Sequence, residues 1–264
     1  MKKFLSITAL ILLVIVALSG CGGTKEQPAQ PQAEAVKLNI AAAASLKDAA
    51  EEIKTIYSKQ NQNINITYIF NASGPLQQQI EQGAPVDMFI SAAKKQMDAL
   101  DEKGLILKET RKDLLGNDLV LIAPKDTKIT GFEDLIKPET DRVSIGTPES
   151  VPAGSYAKEA LTNMQIWDKI QTKLVPAKDV RQVLHYVETG NVAAGMVYKS
   201  DALTSQEVKI VAYAPSDSHK PIVYPMAVLS NSKQQKETEK FADFLSGEEA
   251  SKVFEKYGFK TIKK

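Results

Sequence analysis

"LNIAAAASLKDAAEEI", residues 38–53, carries two periodicities back to back. The stretch "VKLNIAA" (36–42) reads as an apolar strand, whereas Leu46, Ala49, Ala50, Ile53, Ile56 and Tyr57 recur at the spacing of one helical face. The four alanines between them therefore read as strand end and tight junction, not as the body of a helix. Ser45 marks the point where the helix begins, the usual place for a serine that caps backbone N–H groups. A strand running directly into an amphipathic helix is the β–α unit of an α/β protein.

The unit recurs along the chain. "NINITYIF" (63–70) reads as a strand and "GPLQQQIEQG" (74–83) as a helix, with Pro75 in the first turn and Gly83 as its C-terminal stop. "VDMFISA" (86–92) is a strand, residues 94–103 a helix ending at Gly104, and "DLVLIAP" (118–124) a strand. The alternation then restarts with a short helix at "FEDLI", a strand at "RVSIG" (142–146) and a helix at "AGSYAKEALTNM". Val180, Val183, Leu184 and Val187 mark a further helix closed by Gly190, and strands follow at 193–198, 208–214 and 222–229. Two C-terminal helices carry Phe241, Phe244 and Leu245, then Ala250, Val253, Phe254 and Tyr257. Two such runs predict an α/β protein of two lobes with mainly parallel sheets.

The first twenty residues are a different kind of segment. Lys2 and Lys3 precede an apolar run, Phe4 to Leu18, too short to span a bilayer as a permanent anchor, which is the pattern of a secretory signal. The "LSGC" that ends it resembles the bacterial lipobox, so residues 1–20 are expected to be removed and Cys21 to carry lipid as the new N-terminus. Cys21 is the only cysteine, which excludes an intrachain disulfide. "GGTKEQPAQPQAEA" (22–35) lacks any large apolar side chain, so residues 21–35 read as lipid anchor and flexible tether. Loss of the signal takes Lys2 and Lys3 and no acid, moving the net charge from +1 to −1. With charges spread along the chain and no basic patch, nothing points to nucleic acid.

Catalytic motifs are weak. "SYAK" (155–158) matches the Ser-x-x-Lys of penicillin-recognising hydrolases and "SDA" (200–202) approaches their Ser-Asp-Asn, but no Lys-Thr-Gly is present. A Ser–Lys acyl hydrolase using Ser155 and Lys158 is thus an alternative with little behind it. His185 and His219 stand far apart, without metal-ligand spacing. What remains is a set of helix starts after strands: Ser45, Ser73 of "NASGPLQQQI", Ala153 and Gly154 of "VPAGSYAKEA", and Val180 of "AKDVRQVL". Helix starts present unpaired N–H groups and a partial positive charge, so together these positions describe an anion site built without formal charges.

The blocks "AAAASLKDA", "GAPVDMFISA", "VPAGSYAKEAL", "KDVRQVLHYVETG", "GMVYKSDA" and "KYGF" resemble, in order and spacing, the molybdate-binding proteins of bacterial ABC importers (the ModA type). The resemblance runs from about Val36 to the end of the chain. It implies a type II periplasmic-binding-protein fold, two α/β lobes joined by two crossing strands with the ligand cleft between them. The first lobe would comprise residues 37–118 plus 216–264, and the second residues 119–215. It implies binding of molybdate, and of tungstate, which has nearly the same size and charge, through Ser45 and Ser73 in one lobe and Ala153, Val180 and Tyr198 in the other. One segment departs from the family pattern: Pro75 follows Gly74, removing one amide donor beside Ser73. The further implications are a non-enzymatic monomer without cofactor or free metal cation, held outside the cytoplasm by lipid on Cys21 and delivering its oxyanion to a membrane permease. A receptor for another tetrahedral oxyanion such as sulfate is the alternative within the same class.

Overall fold

The computed structural model describes residues 35–262. The expected signal segment 1–20, Cys21 and residues 22–34 of the tether lie outside the described residues. Strand β1 (Val36–Ala43) buries its last four residues because it is an interior strand, parallel to a neighbour on each side. One 3₁₀ turn, Ala44–Leu46, leads into helix α1 (Lys47–Gln60), which buries Ala49, Ala50, Ile53 and Tyr57. The alanine run is therefore strand end plus turn.

The chain continues through β2 (Ile64–Asn71), α2 (Ser73–Glu81), β3 (Met88–Ile90), α3 (Lys94–Glu102) and β4 (Lys112–Gly116). It then crosses to a second sheet through β5 (Leu119–Pro124), β6 (Val143–Gly146), α4 (Pro152–Asn163), the short α5 (Trp167–Ile170), β7 (Leu174–Ala177), α6 (Val180–Glu188), β8 (Ala194–Tyr198), the short α7 (Lys199–Ala202) and β9 (Val208–Tyr213). Strand β10 (Val223–Val228) returns to the first sheet, followed by α8 (Gln235–Leu245), α9 (Glu248–Lys256) and β11 (Lys260–Thr261). Gly83 and Gly190, just beyond α2 and α6, take φ of +85° and +68°, the left-handed caps that terminate those helices.

The strand orders are β11-β4-β10-β3-β1-β2 and β7-β6-β8-β5-β9. This is a mixed α/β architecture of two lobes, each on its own sheet, joined by the chain passing once out at Asn117–Asp118 and once back between β9 and β10. The expectation of mainly parallel sheets is corrected. Strand β1 runs parallel to β2 and β3, and β6 to β7 and β8, but β10 is antiparallel to β3 and β4, and β5 to β8 and β9. The reason is topological: each sheet accepts a strand from the inter-lobe connection, entering from the opposite end. Pro225 sits inside β10, where a missing N–H is accommodated by a bulge between Tyr224 and Pro225. The C-terminal helices pack on the first lobe, with Phe241 and Phe244 edge-on to Tyr57 at 4.9 and 5.0 Å between ring centroids.

Candidate functional site

Four helix beginnings meet between the lobes. The turn at Ala44–Ser45 and the start of α2 at Ala72–Ser73 come from the first lobe; the starts of α4 at Val151–Ala153 and of α6 at Val180 come from the second, and Tyr198 closes the ring from the end of β8. They enclose a small cavity of about 10 Å³. All five positions singled out in the sequence, Ser45, Ser73, Ala153, Val180 and Tyr198, line it, and Ala92, after β3, lines it too. A far larger groove of about 780 Å³ runs alongside, between α3 and α4, and shares Val151 and Pro152 with the cavity. Its charges are mixed, Lys94, Lys95 and Lys220 against Asp98, Glu102, Glu149 and Glu159.

Each lining group is held in a definite way. Ser45 is 3% exposed and does not cap α1; its Oγ lies 2.9 Å from the Tyr224 hydroxyl. Ser73, fully buried at the first position of α2, accepts the Ala92 N–H at 2.9 Å through Oγ. Since a backbone N–H can only donate, the Ser73 proton is left to point elsewhere. Helix α4 approaches the end of β6 closely enough that a Cβ at Gly154 would lie 1.9 Å from the Gly146 carbonyl oxygen, so glycine is required there to seat the Ala153 amide. In α6 the Asp179 carboxylate caps the Gln182 N–H at 2.8 Å, which leaves the Val180 amide without an intrahelical acceptor.

Tyr198 is 1% exposed and its hydroxyl has no hydrogen-bond partner within the described residues. Burial first, then neighbouring Tyr224 and Tyr156, pushes its pKa well above that of an ordinary tyrosine, so it remains a proton donor. Every group aimed at the cavity is thus neutral.

The charged residues stand one layer back. Arg181 on α6 reaches across the lobes to the Asp48 carboxylate and, at 3.4 Å, to the Ser45 carbonyl. Its Nε lies 2.7 Å from Oδ1 of Asp201, near enough for ion pairing though not aligned as a hydrogen bond. Asp201 is wholly buried; desolvation raises its pKa to about 6 against the opposing pull of Arg181. A second contact across the lobes is the Gly74 N–H donating to the Ser150 carbonyl at 3.1 Å. Sequence reasoning missed Tyr224, Ala92 and the Arg181–Asp48–Asp201 cluster, whose members are far apart in the chain and carry no local pattern.

The hydrolase alternative finds no geometry. Ser155 is exposed on α4, and the Lys158 ammonium lies 5.3 Å from the centroid of the Trp167 ring, without a hydrogen bond to Ser155. Asp201 of "SDA" serves the buried ion pair instead. His185 stands on the surface of α6, and no cluster of three or more potential metal ligands occurs among the described residues.

Residues 38–260 match the family model described as bacterial extracellular solute-binding protein. The chain is 47% identical over 260 residues to a putative ABC transporter substrate-binding lipoprotein, YvgL, of Bacillus subtilis (strain 168), with 98% of each chain covered. It is 42% identical over 233 residues to the molybdate-binding protein ModA of Haemophilus influenzae, covering 86% of this chain and 91% of that one. Among solved structures, the substrate binding domain of a putative molybdenum ABC transporter from Clostridium difficile superposes with a TM-score of 0.69 at 47% identity, covering 86% of this chain and all of that one.

Proposed function

The chain belongs to the bacterial extracellular solute-binding protein family, and from that premise we propose that it binds molybdate outside the cytoplasm and delivers it to an ABC importer. It is a binding protein and not an enzyme. The observation that carries the ligand class is the convergence of neutral donors from both lobes, Ser45, Ser73, Ala153, Val180 and Tyr198, on one small buried cavity.

Molybdate is a tetrahedral dianion whose four oxygens only accept hydrogen bonds. Removing it from water costs several kcal/mol per charge unless donors replace the lost solvent. Hydrogen bonds to a charged group contribute about 1.5–3 kcal/mol each, so a handful of hydroxyl and amide donors offsets that penalty. The starts of α2, α4 and α6 add favourable potential. Phosphate near neutral pH carries a proton that needs an acceptor, whereas this site offers mostly donors and no carboxylate. Sulfate has no such proton and is rejected by size, because a cleft matched to the larger ion leaves it with long, weak hydrogen bonds. Tungstate shares molybdate's size and charge and is accepted with it.

The donors divide between residues 37–118 plus 216–264 and residues 119–215, so ligand engages both lobes only when they close, and binding shifts an open–closed equilibrium about the two connections. The closed form is what the permease recognises. Lipid on Cys21, with more than one acyl chain for stable anchoring, keeps the monomeric receptor at the membrane; the "LSGC" motif and the lipoprotein relative from Bacillus subtilis support this.

A thermal-unfolding panel tests the function. Ligand at a thousandfold over its dissociation constant adds about 4 kcal/mol to stability. Molybdate and tungstate should raise the melting temperature while sulfate and phosphate do not. Stabilisation by sulfate alone would reassign the receptor to that anion.

A further inference from the structure

We propose that Asn117 and Tyr224 fix the direction in which Ser45 hydrogen-bonds, so that the Ser45 proton points into the cavity and Ser45 meets the ligand as a donor. This rests on the anion-binding function proposed above.

Four buried groups form a chain through the inter-lobe connection: Asn117 Nδ2 donates to Ser200 Oγ at 2.9 Å and to Tyr224 Oη at 3.4 Å, and Tyr224 Oη lies 2.9 Å from Ser45 Oγ. Hydroxyls alone leave the direction of such a chain undetermined, since each can donate or accept. Asn117 biases the direction. The Asp118 N–H donates to Asn117 Oδ1 at 2.9 Å, so the amide cannot flip and presents its donor-only nitrogen to both hydroxyls. Tyr224 Oη accepts from Asn117, and in the proposed arrangement its single proton goes to Ser45 Oγ, its other hydrogen-bond partner among the described residues. Ser45 Oγ, having accepted from Tyr224, sends its proton into the cavity. All four residues are at most 6% exposed, which keeps solvent from substituting for any link.

The same logic holds Ser73 through the Ala92 N–H, so the two serines are polarised alike by unrelated means. Burial also keeps the Tyr224 hydroxyl protonated at any ordinary pH. The consequence is selectivity by proton count. A serine free to rotate can accept from the hydroxyl of hydrogen phosphate; a serine locked as a donor takes that acceptor away, a mismatch that discriminates in a buried site.

The test is calorimetric titration with molybdate, alone and in competition with millimolar phosphate, on the wild type and three variants. Tyr224→Phe keeps the buried ring, and circular dichroism should confirm the fold. Its molybdate affinity should fall about tenfold while phosphate binds no more weakly, so the molybdate-to-phosphate ratio falls by a similar factor. Asn117→Asp replaces the donor with an acceptor that takes the Tyr224 proton and reverses the chain, and molybdate affinity should fall about a hundredfold. In Tyr224→Phe the chain is already cut, so adding Asn117→Asp should cost less than about threefold more. Equal penalties for Asn117→Asp with and without Tyr224 would mean a through-space charge effect and overturn the proposal. So would a Tyr224→Phe protein with the wild-type ratio. Should the wild type itself bind none of the tetrahedral anions, the proposed function fails first and this inference with it.

Discussion

Gly74 offers a perturbation that separates lobe closure from folding. It lies in the first turn of α2, and its φ is not in the left-handed region, so alanine suits the first lobe on its own. A Cβ there would, however, lie 2.4 Å from the Ser150 carbonyl oxygen and 3.0 Å from the Ser150 Cα, both in the other lobe. Ordinary contact needs roughly 3.4–4 Å, so the lobes of Gly74→Ala must part by about 1 Å at this edge. That shift breaks the Gly74–Ser150 hydrogen bond, now 3.1 Å, and stretches cavity hydrogen bonds from one lobe beyond useful length. Loss of one or two charge-assisted hydrogen bonds weakens binding by about 2–4 kcal/mol, a factor of about 30 to 1,000. Calorimetry would read the affinity and a thermal melt of the ligand-free protein the stability, which should stay within about 1 kcal/mol of wild type. Gly74→Ala binding molybdate as tightly as wild type would refute closure through this contact; an equally large loss of ligand-free stability would show that Gly74 serves folding.

Other residues give sharper single outcomes. Tyr198→Phe removes a hydroxyl that holds no other protein group, so the ligand-free melting temperature should barely change while molybdate affinity falls about tenfold or more. Gly154→Ala drives a Cβ into the Gly146 carbonyl and should destabilise the fold by about 3 kcal/mol or more in a urea titration, in contrast to Gly74→Ala. Asp201 has its pKa raised to about 6, above its unfolded value, so between about pH 4 and pH 6 the folded state holds a proton that the unfolded state has lost. Its contribution to stability therefore falls as pH rises through that window; urea melts of wild type and Asp201→Asn should diverge there, and parallel curves would contradict the raised value.

Much of the architecture was legible because it rests on local periodicity. The switch from strand to helix around Ser45, the stop at Gly83 and the start of α6 at Val180 each follow from residues within a few positions. Strands β4, β7 and β11 were not, since "KDLLG" and "LVPA" are short, the second contains a proline, and β11 is two residues long. Their strand character comes from the neighbours they pair with. In the site, the lining positions were visible as helix starts joined by family resemblance, but their partners were not. Ser45 looks like a cap in sequence, and only tertiary structure turns its hydroxyl to Tyr224, 179 residues away. Arg181 and Asp201 illustrate the same limit: a surface-type helix residue and a hydrolase-like fragment become a buried ion pair once α6 and α7 pack together.

In the proposed complex one tetrahedral anion sits among neutral donors from both lobes. Anomalous diffraction at the molybdenum edge from crystals grown with molybdate tests it directly. One molybdenum peak is expected in the cavity, with its oxygens within about 2.7–3.1 Å of the Ser45 and Ser73 hydroxyls, the Ala153 and Val180 amides and the Tyr198 hydroxyl. A peak in the groove between α3 and α4, or one held by lysine or arginine side chains, would contradict it.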